Sequence, residues 1–75
     1  MASAFPLEYR QFLKRLRAAR EAAELTQTDV ARLLGKPQSF LSKSESGERR
    51  VDPVELSHLA EIYEKPISFF LRDKS

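Results

Sequence analysis

A chain of 75 residues without a single cysteine has room for one domain, and it excludes disulfide staples and thiolate metal sites. Its 41% apolar and 32% charged residues are those of a globular domain rather than a disordered one, and no apolar run approaches the ~20 residues that span a bilayer. Net charge is only +2, yet residues 1–50 carry +4 and residues 51–75 carry −2, which suggests one face for a polyanion and another for something else, although small proteins often show such an imbalance by chance. Residues 1–6 have no basic start and no long apolar stretch, so they do not read as a signal peptide, and the expected location is cytoplasmic.

Apolar spacing predicts a first helix over residues 6–23. Pro6 suits a first helical position, where its missing N–H costs nothing. Tyr9, Phe12, Leu13, Leu16 and Ala19 recur at three- and four-residue steps, which makes one apolar stripe. A second helix is expected over 27–34, with Thr26 as cap and Asp29 near its partially positive start. Val30, Ala31, Leu33 and Leu34 form its expected buried side, and Gly35 ends it. A third helix follows over 37–46, stopped by Gly47. The fourth, over 53–63, has the clearest start: Asp52 as cap, Pro53 first, Glu55 third. Its stripe is Leu56, Leu59, Ala60 and Tyr63. Pro66 opens a short fifth helix over 66–71 with Ile67, Phe69, Phe70 and Leu71. No stretch alternates apolar and polar residues, so the expectation is one all-α domain over 1–75 without a sheet.

The informative unit is the second helix, the turn and the third helix. Counted from Gln27, Ala31 is fifth, Gly35 ninth and Leu41 fifteenth. The fifth residue faces the crossing helix and must be small. The ninth makes the tight turn, and the fifteenth is the apolar anchor of the second helix of the pair. With Leu41 inward, Ser39, Ser42, Lys43 and Ser46 point outward and Gln38 lies at the flank. That side carries no acid, which suits a helix inserted into the major groove. Spacing alone also admits a plain helical hairpin in a small interaction domain.

The stretch LTQTDVARLLGKPQSFLSKSESGERRVDP resembles the phage Cro/C1-repressor-like, or XRE, family of helix-turn-helix regulators, and the likeness extends over about residues 10–71. It implies a compact five-helix, lambda-repressor-like DNA-binding domain. It implies that Gln27 reaches a DNA phosphate and braces the recognition helix, and that Gln38, Ser39, Ser42 and Lys43 face the groove. It places Arg49 near the DNA backbone and makes Arg20 and Glu45 a buried ion pair. Two residues depart from the family pattern. Ser44 stands where a large apolar side chain is usual, so Phe40 is expected to fill part of that space and the Ser44 hydroxyl to bond the carbonyl of residue 40. Pro37 replaces the usual Ser or Thr at the start of the third helix and removes a side-chain cap.

Affinity is expected from phosphate contacts by Gln27, Arg17, Lys36, Arg49 and Arg50, with backbone N–H groups at the starts of the second and third helices. Arg15, Arg17 and Arg50 read equally well as solvated surface charge. Specificity is expected from Gln38 on adenine N6/N7 and Lys43 on guanine O6/N7, with Ser39 and Ser42 serving several bases. Phe69, Phe70 and Leu71 either close the monomer core or form a self-complementary dimer patch. The lone His58 has no nucleophile and orienting group beside it, and no cofactor or metal motif occurs, so no enzyme, cofactor or metal site is expected. The expected function is a transcriptional regulator, chiefly a repressor: a homodimer on a pseudo-palindromic double-stranded operator, controlled by its concentration or by a partner protein, with no membrane role. An antitoxin or protein-interaction module of the same fold is the alternative, which a toxin-like neighbouring reading frame would favour. A helical domain that has lost DNA binding is the third.

Overall fold

The computed structural model describes residues 6–71, and these are all-helical, with no strand among them. The five helices are α1 (Pro6–Ala22), α2 (Gln27–Leu34), α3 (Gln38–Ser46), α4 (Pro53–Tyr63) and α5 (Ile67–Leu71). Residues 1–5 and 72–75 of the expected domain lie outside the described residues.

The helix starts follow from side-chain chemistry. At α2, the Asp29 amide donates to Thr26 Oγ1 at 3.0 Å while Asp29 Oδ2 accepts from the Thr26 amide at 2.9 Å. At α4, Asp52 and Glu55 make the same reciprocal pair, with Pro53 opening the helix. Pro37 is the cap of α3 rather than its first residue, because its ψ of 158° is extended and its ring offers no side-chain acceptor. Pro66 likewise precedes α5, its carbonyl accepting from the Phe69 amide.

The core is built where the five helices converge, from Phe12, Leu16 and Ala19 of α1, Val30 of α2, Leu41 of α3, Leu56, Leu59, Ala60 and Tyr63 of α4, and Phe70 of α5. Leu33, expected on the buried side of α2, is instead 63% exposed. At about 100° per residue it stands some 200° from Ala31, so Val30 and Ala31 are buried and Leu34 half-buried while Leu33 turns outward. In α5, Phe70 is fully enclosed where that helix packs on α1 and α4.

Candidate nucleic-acid interface

The site is set by the packing of α2 against α3. Ala31 is buried at 2% exposure, and its small side chain lets the two helices approach. Gly35 has φ 71°, and two bonds close the turn around it: its own amide to the Arg32 carbonyl, and the Lys36 amide to the Ala31 carbonyl. Leu41 is fully buried and pins α3. Together these hold α3 with one side in the core and the other in solvent.

On the solvent side Gln38, Ser39, Lys43 and Ser46 are exposed and Ser42 is half-buried. The acid within α3, Glu45, does not interrupt this side, because it turns inward. Its carboxylate faces the Arg20 guanidinium in a two-pronged pair: Nε donates to Oε2 at 2.6 Å and Nη2 to Oε1 at 3.1 Å. The two side chains are 10% and 4% exposed. Arg20 also donates from Nη1 to the Leu25 carbonyl, and the hydrogen bond to Glu45 raises its pKa further. A desolvated pair satisfied on both sides ties α1 to the end of α3.

Gln27 connects that pair to the surface. Its Nε2 donates to Glu45 Oε1 at 3.0 Å, and its Oε1 accepts from Gln38 Nε2 at 2.7 Å. The four residues Arg20, Glu45, Gln27 and Gln38 therefore form one continuous line from the core to the first turn of α3.

The cations expected at phosphates divide into two groups. Arg17 is 64% exposed in a loose 3.6 Å pair with Glu21 one turn on, an interaction worth little in water and readily exchanged for a phosphate. Lys36 is exposed beside the turn, its Nζ 5.4 Å from the Phe40 ring centre. Arg50 is exposed and lies over the Tyr9 ring at 4.0 Å. Arg49 differs. Its guanidinium is gripped by both oxygens of Glu55, with Nη1 to Oε1 at 2.9 Å, and it stacks 4.1 Å from the Phe40 ring centre. The expected role of Arg49 at the DNA backbone thus meets a competing structural one, joining the segment after α3 to α4. Glu55 is held below the usual carboxylate range chiefly by the hydrogen bonds from Arg49, and the Asp52 amide that it caps adds to this. Sequence reasoning missed this pair: six residues that span a loop carry no helical periodicity.

Backbone donors differ between the two helix starts. At α2, capping has taken the Asp29 amide. At α3, Pro37 gives no side-chain cap, so the cap residue's side chain takes none of the amides of the first turn.

Of the three residues read as a dimer patch, Phe70 is corrected to a core residue, since burial leaves it no surface. Phe69 is half-buried and meets Phe70 edge-on at 5.2 Å. Leu71 is 61% exposed, and Leu7 and Ile67, which the sequence reading did not assign to the patch, are 65% and 39% exposed. A shallow apolar cleft beside Leu71 is lined by Phe12, Val51, Leu56 and Ile67. His58 is exposed on α4. Among the described residues no helix is long and apolar enough to cross a membrane.

The packing of α2 on α3 and the outward side of α3 define a helix-turn-helix protein, a DNA-binding arrangement. The helix-turn-helix domain family matches residues 11–66, about three quarters of the chain, and the chain belongs to it. This match is consistent with the phage-repressor resemblance carried by residues 25–53. Neither the curated proteins nor the solved structures gave a match.

Proposed function

We propose that the chain is a sequence-specific regulator of transcription, acting chiefly as a repressor, that places α3 in the major groove of double-stranded DNA. The observation that carries this reading is the acid-free outer side of α3, from which Glu45 has been withdrawn into the core. A merely solvated helix has no reason to bury its acid and expose Gln38, Ser39, Lys43 and Ser46 together. Gln38, Ser39, Ser42 and Lys43 read base edges. Gln27, Arg17, Lys36 and Arg50 contact phosphates, and the α3 amides add to them. Arg49 is committed to Glu55 and reaches a phosphate only by giving up that pair. Family membership supports a DNA partner rather than a chemical reaction.

Two copies act together, in the cytoplasm, with the exposed apolar surface of α5 at Ile67 and Leu71 as their contact. Each copy then reads one half of a pseudo-palindrome, the half-sites lying about 34–36 Å apart.

Selection of bound duplexes from random DNA tests the reading. A recovered inverted repeat is the expected result. Failure to enrich any sequence, with no duplex protected at low ionic strength, would overturn it.

A further inference from the structure

The line from Arg20 to Gln38 has a direction. A guanidinium only donates hydrogen bonds, and the carboxylate paired with it only accepts them. Gln27 must therefore turn its Nε2 toward Glu45 Oε1, 3.0 Å away. With Nε2 turned to the carboxylate, its Oε1 lies toward Gln38, and an oxygen there requires Gln38 to donate, as its Nε2 does at 2.7 Å. Each step removes a choice from the next. At the exposed end, Gln38 is left with its Oε1 and its second amide hydrogen to offer a ligand. Nothing in the α3 backbone imposes this order, since rotating both amides by half a turn would leave the helix unmoved. The buried carboxylate imposes it.

We propose that the Arg20–Glu45 pair is a positioning element that fixes the polarity of the Gln27–Gln38 relay and so sets which base Gln38 reads. The inference rests on the DNA-binding reading above. An outward acceptor meets an exocyclic amino group, which adenine presents at N6 and cytosine at N4. The remaining N–H needs an acceptor next to that amino group. Adenine supplies one at N7, and cytosine supplies none on its major-groove edge. The fixed polarity therefore selects adenine. The reversed amide would instead aim its donors at guanine O6 or thymine O4. The relay also lowers the freedom of a long exposed side chain before DNA arrives, which favours discrimination over general adhesion.

Two variants test the relay, read by competition between duplexes that differ at one base pair. Gln27→Lys keeps a donor toward Glu45 but offers Gln38 only donors, so Gln38 must turn its Oε1 inward and its amino group outward. The preference for adenine over guanine at that base pair is expected to fall at least tenfold, or to invert. The added charge raises affinity for every duplex alike and cancels in the ratio. Arg20→Met combined with Glu45→Met keeps the space filled and removes the anchor without stranding a charge. Adenine discrimination is expected to fall about fivefold or more at that base pair alone, within the range of one bidentate contact. A purely structural pair would weaken discrimination at every position together. In a Gln38→Ala background neither variant is expected to change base preference further. Gln27 is half-buried and lies outside the core, so its variant decides the question even if the double variant fails to fold. An adenine-over-guanine ratio unchanged from wild type in Gln27→Lys overturns the relay. A wild-type chain that selects no sequence overturns the DNA-binding reading, and the relay with it.

Discussion

Ser44 shows how one side chain rearranges its surroundings. The residue is 1% exposed, and its hydroxyl donates to the Phe40 carbonyl at 2.8 Å, as its place one turn after Phe40 implied. A cleft of about 280 Å³ opens in front of it, lined by Leu34, Phe40, Val51, Val54 and Leu59 among others. Phe40 covers part of the opening and the Arg49 guanidinium lies over its ring. Ser44→Leu is expected to fill the cleft and stabilise the domain by about 1–2 kcal/mol, from roughly 0.8 kcal/mol per added buried methylene less some crowding. The melting temperature would then rise by about 4–8 °C per kcal/mol, and a melt at or below wild type would show that the cleft cannot take a branched side chain. Glu55 gives a pH test. Its folded-state pKa is lowered, with the Arg49 hydrogen bonds the largest cause, so the stability it contributes is complete above the ordinary carboxylate range, near pH 4.5, and disappears as pH falls through the lower folded value. Urea midpoints are expected to decline across that acidic window, and to decline less in Glu55→Gln; identical slopes would remove Glu55 from the account. The inward turn of Ser44 was legible through the family resemblance, and the helical phase set by Leu41 agrees with it. The Arg49–Glu55 grip was not, because it depends on how a loop folds back.

At the scale of elements, the capped starts of α2 and α4 were legible, and the ends of α1 and α4 were placed to within a residue without the residues that close them. Thr26, Asp29, Asp52 and Glu55 cap by local chemistry that a sequence shows directly. The ends of α1, α2 and α4 share one closing geometry, in which two backbone amides reach back to the last turn around a left-handed residue. At α2 that residue is Gly35, which sequence reading found. At α1 and α4 it is Glu24 and Glu64, with φ 61° and 56°, and glutamate gives no signal for that conformation. Their presence bears on Gly35 itself. A Cβ added there would meet no other atom within 4 Å, so the turn needs only the left-handed φ, not the missing side chain. Gly35→Ala is therefore expected to cost about 1 kcal/mol, the left-handed strain less the reduced freedom of the unfolded chain. Chemical denaturation would measure it, and the variant is expected still to bind DNA. A loss of several kcal/mol, or of binding, would mean that the turn tolerates no Cβ and that Glu24 and Glu64 are no guide to it.

At the scale of the molecule, two surfaces have different chemistry. One is the acid-free side of α3 with Arg17, Lys36 and Arg50 exposed among its neighbours in sequence or fold. The other gathers Leu71 and Ile67 of α5, with Leu7 at the start of α1 exposed as well. The excess of positive charge in residues 1–50 hinted at the first surface, but the second could not be divided from the core by sequence. Phe69, Phe70 and Leu71 are consecutive apolar residues, and only the docking of α5 on α1 and α4 decides that Phe70 goes in and Leu71 out. This division makes dimerisation testable without damage to the fold. Leu71 is 61% exposed, so Leu71→Lys removes little buried area from the monomer and is expected to change its stability by less than about 0.5 kcal/mol. In a dimer the same change places two charges against an apolar contact, where desolvation is expensive. Sedimentation is therefore expected to show a monomer for Leu71→Lys and a dimer for wild type. Binding to a full operator is expected to weaken while binding to an isolated half-site is kept, because linking two sites raises affinity without new contacts. A variant that sediments as wild type and holds the full operator equally well would move the contact between copies away from α5.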